Sequence, residues 1–317
     1  MILVTGVTGW IGRALAHRLS AGGDSVAVRG AVRSLSAVLP QGVPSVEVGE
    51  ITPHTDWSLA LQGASSLVHC AARVHVMNDQ CIDPLIEYRR VNVAGTENLA
   101  RQAAAAGVKR FVFLSSIKVN GEFTKQGQPF TADDDPAPED PYGVSKHEAE
   151  LVLRQIASET GMEVVIIRPP LVYGPGVKAN FSAMMRWLDH GIPLPLAAVS
   201  GNRRSLVALD NLVDLVVTCL SHPAASNQTF LVSDGEDLST ADLLRRMGMA
   251  LGCPARLIYV PSAMLRLGAT LVCKPGIYQR LCSSLQVDMA KTRELLGWTP
   301  PLTVDEGLRR AALGFHP

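Results

Sequence analysis

The sequence has no excess of charge of either sign and no long apolar run. Its 317 residues include 29 Lys plus Arg and 29 Asp plus Glu, so the net charge is zero. Without a basic run there is no electrostatic footprint for nucleic acid, and a nucleic-acid partner is not expected. The longest apolar stretches, such as residues 265–273, contain an arginine and fall short of the ~20 residues that a membrane span needs. We therefore expect no membrane span.

Paired cysteines are lacking as well. The six cysteines are scattered and form no Cys-x-x-Cys pair; they are Cys70, Cys81, Cys219, Cys253, Cys273 and Cys282. This spacing argues against a zinc site and a disulfide framework, and it predicts buried free thiols in a reducing compartment. Residues 1–4 have the pattern of a first strand and carry no basic segment of a signal peptide. We expect a cytoplasmic protein without a bound metal.

What the sequence does contain is an alternation of apolar, strand-like runs with amphipathic, helix-like segments. With 47% apolar and 18% charged residues, the chain can bury a sizeable core. The predicted strands are residues 2–5, 25–32, 45–48, 66–70, 110–115 and 163–168, and the clearest predicted helices are residues 12–21, 91–106 and 143–160. This order predicts an α/β fold with a Rossmann-like, doubly wound parallel sheet.

A Pro- and Gly-rich stretch over residues 169–176 marks a change along the chain. Continuous regular structure is not expected there, and prolines interrupt the helices that follow. We place the boundary between two units at this stretch. Residues 1–168 are expected to form the first unit, with residues 206–236 returning to it. Residues 169–205 and 237–317 are expected to form a smaller C-terminal α/β lobe.

A glycine-rich turn, TGVTGWIG over residues 5–12, follows the first predicted strand and opens the first helix. Glycines let the backbone turn tightly, approach a pyrophosphate closely and direct helix N-terminal amides at its negative charge. At this place in a strand-helix-strand unit, the turn predicts dinucleotide binding.

The end of the second predicted strand lacks a carboxylate and carries Arg33 instead. An acidic residue there would bind the ribose 2′-hydroxyl of NAD, whereas an arginine accommodates the 2′-phosphate of NADP. A guanidinium can hold a phosphate with two parallel hydrogen bonds. Arg33 therefore favours NADP(H), with NAD(H) as the alternative.

Tyr142 and Lys146 stand four residues apart, on one face of a predicted helix. A phenol is a poor acid/base at neutral pH, but an adjacent ammonium and an oxidised nicotinamide favour its phenolate. Ser115 and Ser116 follow a buried strand at the edge where parallel sheets bind ligands. A hydroxyl there could hydrogen-bond a sugar oxygen that gains or loses a proton.

In order and separation, these features resemble the extended short-chain dehydrogenase/reductase superfamily, specifically its nucleotide-sugar epimerases, dehydratases and reductases. The resemblance covers nearly the whole chain. It is carried by HCAA at residues 69–72, NVAGT at 92–96, YGVSK at 142–146, RPPLVYGPG at 168–176 and, near the C-terminus, Asp288, Lys291 and LGWTP at 296–300. By this resemblance the first unit binds a dinucleotide, the lobe binds a nucleotide sugar, and the protein forms a homodimer through residues 91–106 and 143–160.

The resemblance implies a role for each matching residue. Tyr142 would be the catalytic acid/base, Ser116 would share the proton's hydrogen bond, and Lys146 would hold the nicotinamide ribose and lower the pKa of the tyrosine. The cofactor would also contact Gly6, Gly9, Trp10, Ile11, Gly12, Arg33, Glu50, Ile51, Ala71, Ala72, Asn92, Pro169 and Val172. The nucleotide sugar would contact Ser116, Tyr142, Asn180, Arg204 and Arg280.

Departures from the family patterns separate the possible reactions. Dehydratases resemble one another in an Asp-Glu pair after the catalytic hydroxyl, and here those positions are Ile117 and Lys118, which disfavours dehydration. Asn120 stands where the family usually has tyrosine. The segment SSIKVNGE at 115–122 resembles bacterial 4-reductases that make UDP-N-acetylquinovosamine for surface polysaccharide such as O-antigen.

The leading hypothesis is therefore NAD(P)H-dependent reduction of a UDP-4-keto-6-deoxy-N-acetylhexosamine to UDP-N-acetylquinovosamine. The alternative is a UDP-glucose or UDP-N-acetylglucosamine 4-epimerase with tightly bound NAD. A third hypothesis is a non-catalytic regulator that senses NADP and binds a protein partner, although such a protein would not need Ser116, Tyr142 and Lys146 together.

Overall fold

The computed structural model of the chain describes residues 1–21, 27–74, 83–125, 127–261, 263–265, 279 and 281–315. The strands are β1 (Ile2–Thr5), β2 (Val28–Val32), β3 (Ser45–Glu47), β4 (Ser66–His69), β5 (Arg110–Leu114), β6 (Glu163–Arg168), β7 (Leu171–Tyr173), β8 (Leu206–Ala208) and β9 (Thr229–Leu231). The α-helices are α1 (Trp10–Ala21), α2 (Ser58–Leu61), α3 (Pro84–Tyr88), α4 (Gly95–Ala105), α5 (Pro141–Thr160), α6 (Ala179–Asp189), α7 (Leu209–Ser221), α8 (Thr240–Ala250), α9 (Ala290–Leu296) and α10 (Val304–Leu313). A π-helical turn spans Arg89–Ala94, and 3-10 turns span Ile117–Val119 and Pro223–Ala225.

One parallel sheet of seven strands dominates the fold, in the order β3-β2-β1-β4-β5-β6-β9. Strands β7 and β8 form a separate parallel pair. Because β1 lies between β2 and β4, the strand order reverses at β1. Open parallel sheets bind ligands beyond the carboxyl ends of their strands at such a reversal. The predicted Rossmann-like α/β fold with a doubly wound parallel sheet is confirmed.

Helices bury the main sheet on both faces. Successive strand residues point to opposite faces, so Val4 packs with Leu15 of α1 and Leu212 of α7. Its neighbour Leu3 packs on the other side with Leu99 of α4. A strand buried on both faces has no polar alternation, which is why residues 2–4 of β1 and 111–114 of β5 are continuous apolar runs. A further core joins α6, α8 and α10.

The ends of α5 are determined by local chemistry. The Asp140 side chain caps its N-terminus by accepting a hydrogen bond from the Gly143 amide, 2.6 Å away. Pro141 occupies the first turn, where a missing N–H costs no helical hydrogen bond. Gly161 ends the helix with a left-handed φ of +75°. The helix therefore begins two residues before the predicted start at residue 143.

Other predicted boundaries differ in the same modest way. Helix α1 starts at Trp10 rather than residue 12, and the predicted helix 91–106 is a π-helical turn followed by α4. Strand β2 starts at Val28, and residues 25–26 of its predicted range lie outside the described residues.

The cysteines are less buried than predicted. Among the described ones, all of them free thiols, Cys219 is buried, but Cys70, Cys253 and Cys282 are only half-buried. Cys81 and Cys273 lie outside the described residues. Within the described ranges, no helix has the length and apolar character to cross a membrane, and no cluster of His, Cys, Asp and Glu could hold a metal ion.

Candidate active site

Neighbouring strands bring the predicted site residues to one edge of the sheet. Thr5 pairs with His69 across β1 and β4, His69 with Phe113 across β4 and β5, and Leu114 with Ile167 across β5 and β6. The segments that follow these strands leave the sheet side by side: the glycine turn, Ala71 with Ala72, Ser115 with Ser116, and Pro169.

The glycine turn is packed too tightly to admit larger residues. Gly6 has a left-handed φ of +67°, and a Cβ there would lie 2.7 Å from the Ala71 nitrogen. A Cβ on Gly12 would lie 2.2 Å from the Gly6 carbonyl oxygen. The first turn of α1 contains no acidic side chain, so its amides retain their partial positive charge for an anion. The turn therefore fits a dinucleotide pyrophosphate.

The first residues of α1 also contact a distant part of the predicted site. The Trp10 indole donates a hydrogen bond to the Pro175 carbonyl at 2.7 Å, which joins the glycine turn to the Pro- and Gly-rich stretch. The neighbouring Ile11 is half-buried. Gly9 stabilises the turn through its amide, which donates to the Gly6 carbonyl at 2.8 Å.

The ends of β2 and β3 carry the residues predicted for the adenosine half. Arg33 is exposed directly after β2. The Glu47 carboxylate accepts a hydrogen bond from the Leu35 amide at 3.3 Å, so it faces the same loop. Glu50 is exposed, and Ile51 packs against α4, where a Cβ on Gly95 would lie 2.7 Å from its Cγ2.

Asn92 lies in the π-helical turn and is buried. Its Oδ1 accepts from the Arg73 amide at 2.8 Å, and its Nδ2 donates to the Arg73 carbonyl and to Ser145 Oγ, each at 3.0 Å. Asn92 thus fastens the loop after Ala72 to α5. Single π-turns are frequent at functional sites, and here the turn directs this side chain inward.

Ser116 is half-buried and caps the 3-10 turn that follows it, with its hydroxyl accepting from the Lys118 amide at 3.3 Å. Ile117 is buried. The Lys118 ammonium lies 2.7 Å from a Glu122 carboxylate oxygen and 2.5 Å from one of Asp140. Neither Ile117 nor Lys118 can replace the dehydratase carboxylates, because one is apolar and the other is a paired cation.

Lys146 is almost fully buried beneath the sheet edge. Its ammonium donates to the Leu114 carbonyl at 2.7 Å and lies 4.3 Å from the Phe113 ring centroid. Burial lowers the pKa of Lys146 to about 8, while Cys70 and Glu150 oppose that shift. The lysine therefore stands at the end of β5, immediately beside the strand's exit to Ser116.

Tyr142 stands one helical turn before Lys146, and its ring meets the Tyr88 ring edge-on with centroids 6.1 Å apart. Burial raises the pKa of the Tyr142 phenol well above its usual range, and the charges of Asp140 and Tyr88 raise it further. The Lys146 ammonium donates its hydrogen bond to the Leu114 carbonyl, and its lowering of the Tyr142 pKa stays a prediction.

A buried polar network behind the site was not predicted. Glu150 of α5 accepts from Ser115 Oγ at 2.5 Å and forms an ion pair with Arg168 at 2.6 Å. Arg168 also donates to Asn120 Oδ1 at 2.9 Å. One sequence signal points to Glu150: it follows Lys146 by four residues, so both lie on the same helical face.

The predicted substrate residues lie farther along the chain. Arg204 donates from its guanidinium to the Ser283 carbonyl at 3.1 Å. Burial lowers the pKa of Arg204, and the Glu122 carboxylate opposes that shift, so the arginine lies within electrostatic range of the loop after Ser116. Asn180 is exposed in the first turn of α6, and Val172 pairs with Val207. Arg280 lies outside the described residues.

Comparisons with known proteins agree with this architecture. Residues 2–233 match the model of the NAD dependent epimerase/dehydratase family. A UDP-glucose 4-epimerase of Vibrio cholerae is 51% identical over 317 residues, which covers 99% of this chain and 95% of that protein. That relative favours the epimerase alternative over the reductase hypothesis.

Two solved structures share the fold. The UDP-glucuronic acid 4-epimerase of Bacillus cereus, in complex with NAD, aligns over 99% of this chain and 96% of that chain with a TM-score of 0.78 at 20% identity. The UDP-glucose 4-epimerase of Thermotoga maritima, with UDP-glucose, covers 99% of this chain and 98% of that chain with a TM-score of 0.76 at 21% identity. At these identities the likeness concerns the fold.

Proposed function

The chain belongs to the NAD dependent epimerase/dehydratase family and is an enzyme of that family, and from this premise we propose that it is a UDP-hexose 4-epimerase that interconverts UDP-glucose and UDP-galactose. The observation that carries the proposal is the 51% identity to a UDP-glucose 4-epimerase across 99% of the chain. Family membership leaves no reason to retain the hypothesis of a non-catalytic regulator.

In the proposed reaction Tyr142 takes the proton of the C4 hydroxyl and returns it after the sugar has turned. Ser116, at the carboxyl end of β5, hydrogen-bonds the same oxygen. Lys146 places a positive charge beside the strand end. Burial raises the pKa of Tyr142, and the positive charge of an oxidised nicotinamide, when one is bound, would favour the phenolate.

We propose NAD as the cofactor. The residues that would hold it are the glycine turn for the pyrophosphate, Glu50 and Ile51 for the adenine, Ala71 and Ala72 for the adenosine side, and Asn92, Lys146, Pro169 and Val172 for the nicotinamide half. The chemistry that the bound nicotinamide supplies is reversible hydride transfer at C4 of the sugar. The sugar nucleotide would bind between this edge and the lobe, with Asn180 and Arg204 as contacts of its diphosphate. The resemblance adds Arg280 to these contacts.

A second candidate is the NADPH-dependent 4-keto reduction of a UDP-sugar. It is favoured by one observation, the exposed Arg33 at the end of β2 where a carboxylate would select NAD. Dehydration is disfavoured by Ile117 and by the ion-paired Lys118, which leave no acid in the place of the dehydratase pair.

We further propose that the chain functions as the two units defined above. Strand β9 pairs with β6, which supports the return of residues 206–236 to the dinucleotide-binding unit. The resemblance to the extended dehydrogenases supports a homodimer through the α4 and α5 regions, where Leu151 is 52% exposed.

The test is to incubate the purified protein with UDP-glucose and no added cofactor, and to separate the UDP-sugars by chromatography. In parallel, UDP-4-keto-6-deoxy-N-acetylglucosamine is mixed with NADPH or NADH and the nicotinamide absorbance is followed. We expect UDP-galactose in the first reaction and no stoichiometric NADPH oxidation in the second. Oxidation of NADPH by the keto sugar without epimerisation of UDP-glucose would overturn the proposal in favour of the reductase.

A further inference from the structure

The ion pair between Glu150 and Arg168 is almost completely withdrawn from water, with side chains 2% and 3% exposed. Arg168 Nη2 lies 2.6 Å from Glu150 Oε2, and Arg168 Nε lies 2.9 Å from Oε1, which is a bidentate arrangement. Removing two charges from water is costly, and such a pair survives only where the geometry is close and the other polar atoms are satisfied. The contacts of those remaining atoms therefore indicate what the pair does.

Within the described residues, the other hydrogen bonds of the pair go to the loop that carries Ser116. On one flank, Ser115 Oγ donates to Glu150 Oε1 at 2.5 Å. On the other flank, Arg168 Nη1 donates to Asn120 Oδ1 at 2.9 Å. These two residues bracket the 3-10 turn that Ser116 caps. Both flanks of the loop are thus fastened to the same buried pair.

The pair also joins that loop to the other predicted catalytic groups. Glu150 lies one helical turn beyond Lys146 and two beyond Tyr142 on α5, whose 20 residues form one continuous helix. Arg168 ends β6 and is followed by Pro169, whose carbonyl accepts from the Ile117 amide at 3.0 Å. A single pair therefore links α5, β6 and the loop between β5 and α5.

We propose that Glu150 and Arg168 are positioning residues, which hold the Ser116 hydroxyl in register with Tyr142 and Lys146 for proton transfer at the sugar. The proposal rests on the proposed function, since it concerns the same reaction. A displacement of about 1 Å in such a constellation can cost roughly 100-fold in rate, so loosening the pair lowers kcat much more than it weakens substrate binding.

The charge of Glu150 provides a readout that a purely structural role would not move. Three side chains interact electrostatically with Lys146: His69 at the end of β4, Cys70 directly after it, and Glu150 on α5. The Leu114 carbonyl accepts the hydrogen bond of the ammonium. The Glu150 carboxylate raises the pKa of Lys146, in opposition to burial. Removing that charge lowers this pKa, so the loss of activity at high pH begins at a lower pH.

Three variants separate these effects. Glu150→Gln keeps the shape of the side chain and removes its charge, whereas Arg168→Lys keeps a charge and removes the bidentate geometry and its reach to Asn120. The matched control is Arg154→Gln: Arg154 Nη2 lies 3.9 Å from Glu150 Oε2, but its side chain is 46% exposed and its guanidinium donates to Thr229, not to the loop.

The measurements are kcat and KM for UDP-glucose across pH, and hydrogen exchange of the amides at residues 115–120. For Glu150→Gln we expect kcat to fall about 10- to 100-fold, KM to change less than about threefold, the alkaline limb to move to lower pH, and exchange to quicken. Arg168→Lys should lower kcat without moving the alkaline limb, and Arg154→Gln should match the wild type.

Ser115→Ala replaces Glu150→Gln in the test if Glu150→Gln does not fold. It removes one flank contact and leaves the pair intact, and it should lower kcat and quicken amide exchange in the same segment.

The proposal is overturned if whichever of Glu150→Gln and Ser115→Ala folds keeps the wild-type kcat and the wild-type amide exchange at residues 115–120. It is also overturned if the activity of Glu150→Gln falls only as much as its folded fraction does and the alkaline limb of its pH profile does not move. The assay of the wild-type protein distinguishes a failure of the proposed function from a failure of the proposal about the ion pair. Wild-type protein that fails to epimerise UDP-glucose refutes the proposed function, and the exchange arm then still reports whether the pair holds the loop.

Discussion

Replacing Gly12 by alanine tests the glycine turn as a cofactor cradle. The new Cβ would lie 2.2 Å from the Gly6 carbonyl oxygen, 2.7 Å from its carbon and 3.1 Å from the Val7 Cα. Carbon atoms prefer about 3.5–4.0 Å, so α1 must move away from the turn by about 1 Å. All three neighbours are backbone atoms, which cannot turn aside as a flexible side chain can.

The magnitude follows from this overlap. Overpacking of this kind costs about 1–3 kcal/mol, which for a chain of 317 residues lowers Tm by about 2–5 °C. Moving the helix also disturbs the amides that we propose for the pyrophosphate, and a hydrogen bond to a charged group is worth about 1.5–3 kcal/mol. Losing one such bond weakens NAD binding by roughly 10- to 100-fold.

The NAD affinity is measured by calorimetry, and Tm by thermal unfolding, for Gly12→Ala and for Gly201→Ala. Gly201 is the matched control, because a Cβ there meets nothing within 4 Å. We expect both quantities to fall for Gly12→Ala and neither to change for Gly201→Ala. Unaltered NAD affinity in Gly12→Ala would refute the view that close packing of this turn forms the pyrophosphate site.

Three further outcomes follow. Tyr142→Phe should lower turnover by at least about 100-fold, as expected for loss of a general acid/base, while NAD titration shows unchanged affinity; retained turnover would remove Tyr142 from that role. Burial lowers the pKa of His69 to about 3 from its usual 6.5, so the unfolded chain binds the proton more readily than the folded chain. Urea unfolding should therefore show about 1.4 kcal/mol less stability for each pH unit below 6.5. His69→Gln should flatten that pH dependence. Tyr173→Phe removes a phenol that donates to the Asp234 carboxylate at 2.7 Å; calorimetry should show a loss of about 1–3 kcal/mol with kcat unchanged, whereas a kcat effect without a Tm shift would contradict a structural role.

The main architecture was predictable because parallel strands that are buried on both faces appear in the sequence as nearly continuous apolar runs. Strands β1, β5 and β6 were recognisable for that reason. Helix boundaries were less predictable, since they depend on caps: the start of α5 is set by Asp140 accepting from an amide within the turn. The glycine turn and the Tyr142–Lys146 spacing were visible because both are local patterns.

What the sequence did not reveal depends on residues that are distant along the chain. Glu150 and Arg168 are 18 positions apart and meet only because α5 packs beside β6. The raised pKa of Tyr142 has the same origin, since its largest cause is burial, which only the fold produces. The prediction of NADP and of a reductase depends on a single residue, Arg33 at the end of β2. The 51% identity to a UDP-glucose 4-epimerase extends over 99% of the chain and favours the epimerase alternative.

The most direct test of the proposed function uses UDP-glucose that carries deuterium at C4, incubated with the protein in ordinary water. An epimerase returns the hydride to the carbon that lost it, so UDP-galactose should retain the deuterium at C4 while the amount of reduced cofactor stays constant. Loss of the label to solvent, or a stoichiometric change in reduced cofactor, would contradict the redox-neutral C4 epimerisation proposed for this enzyme.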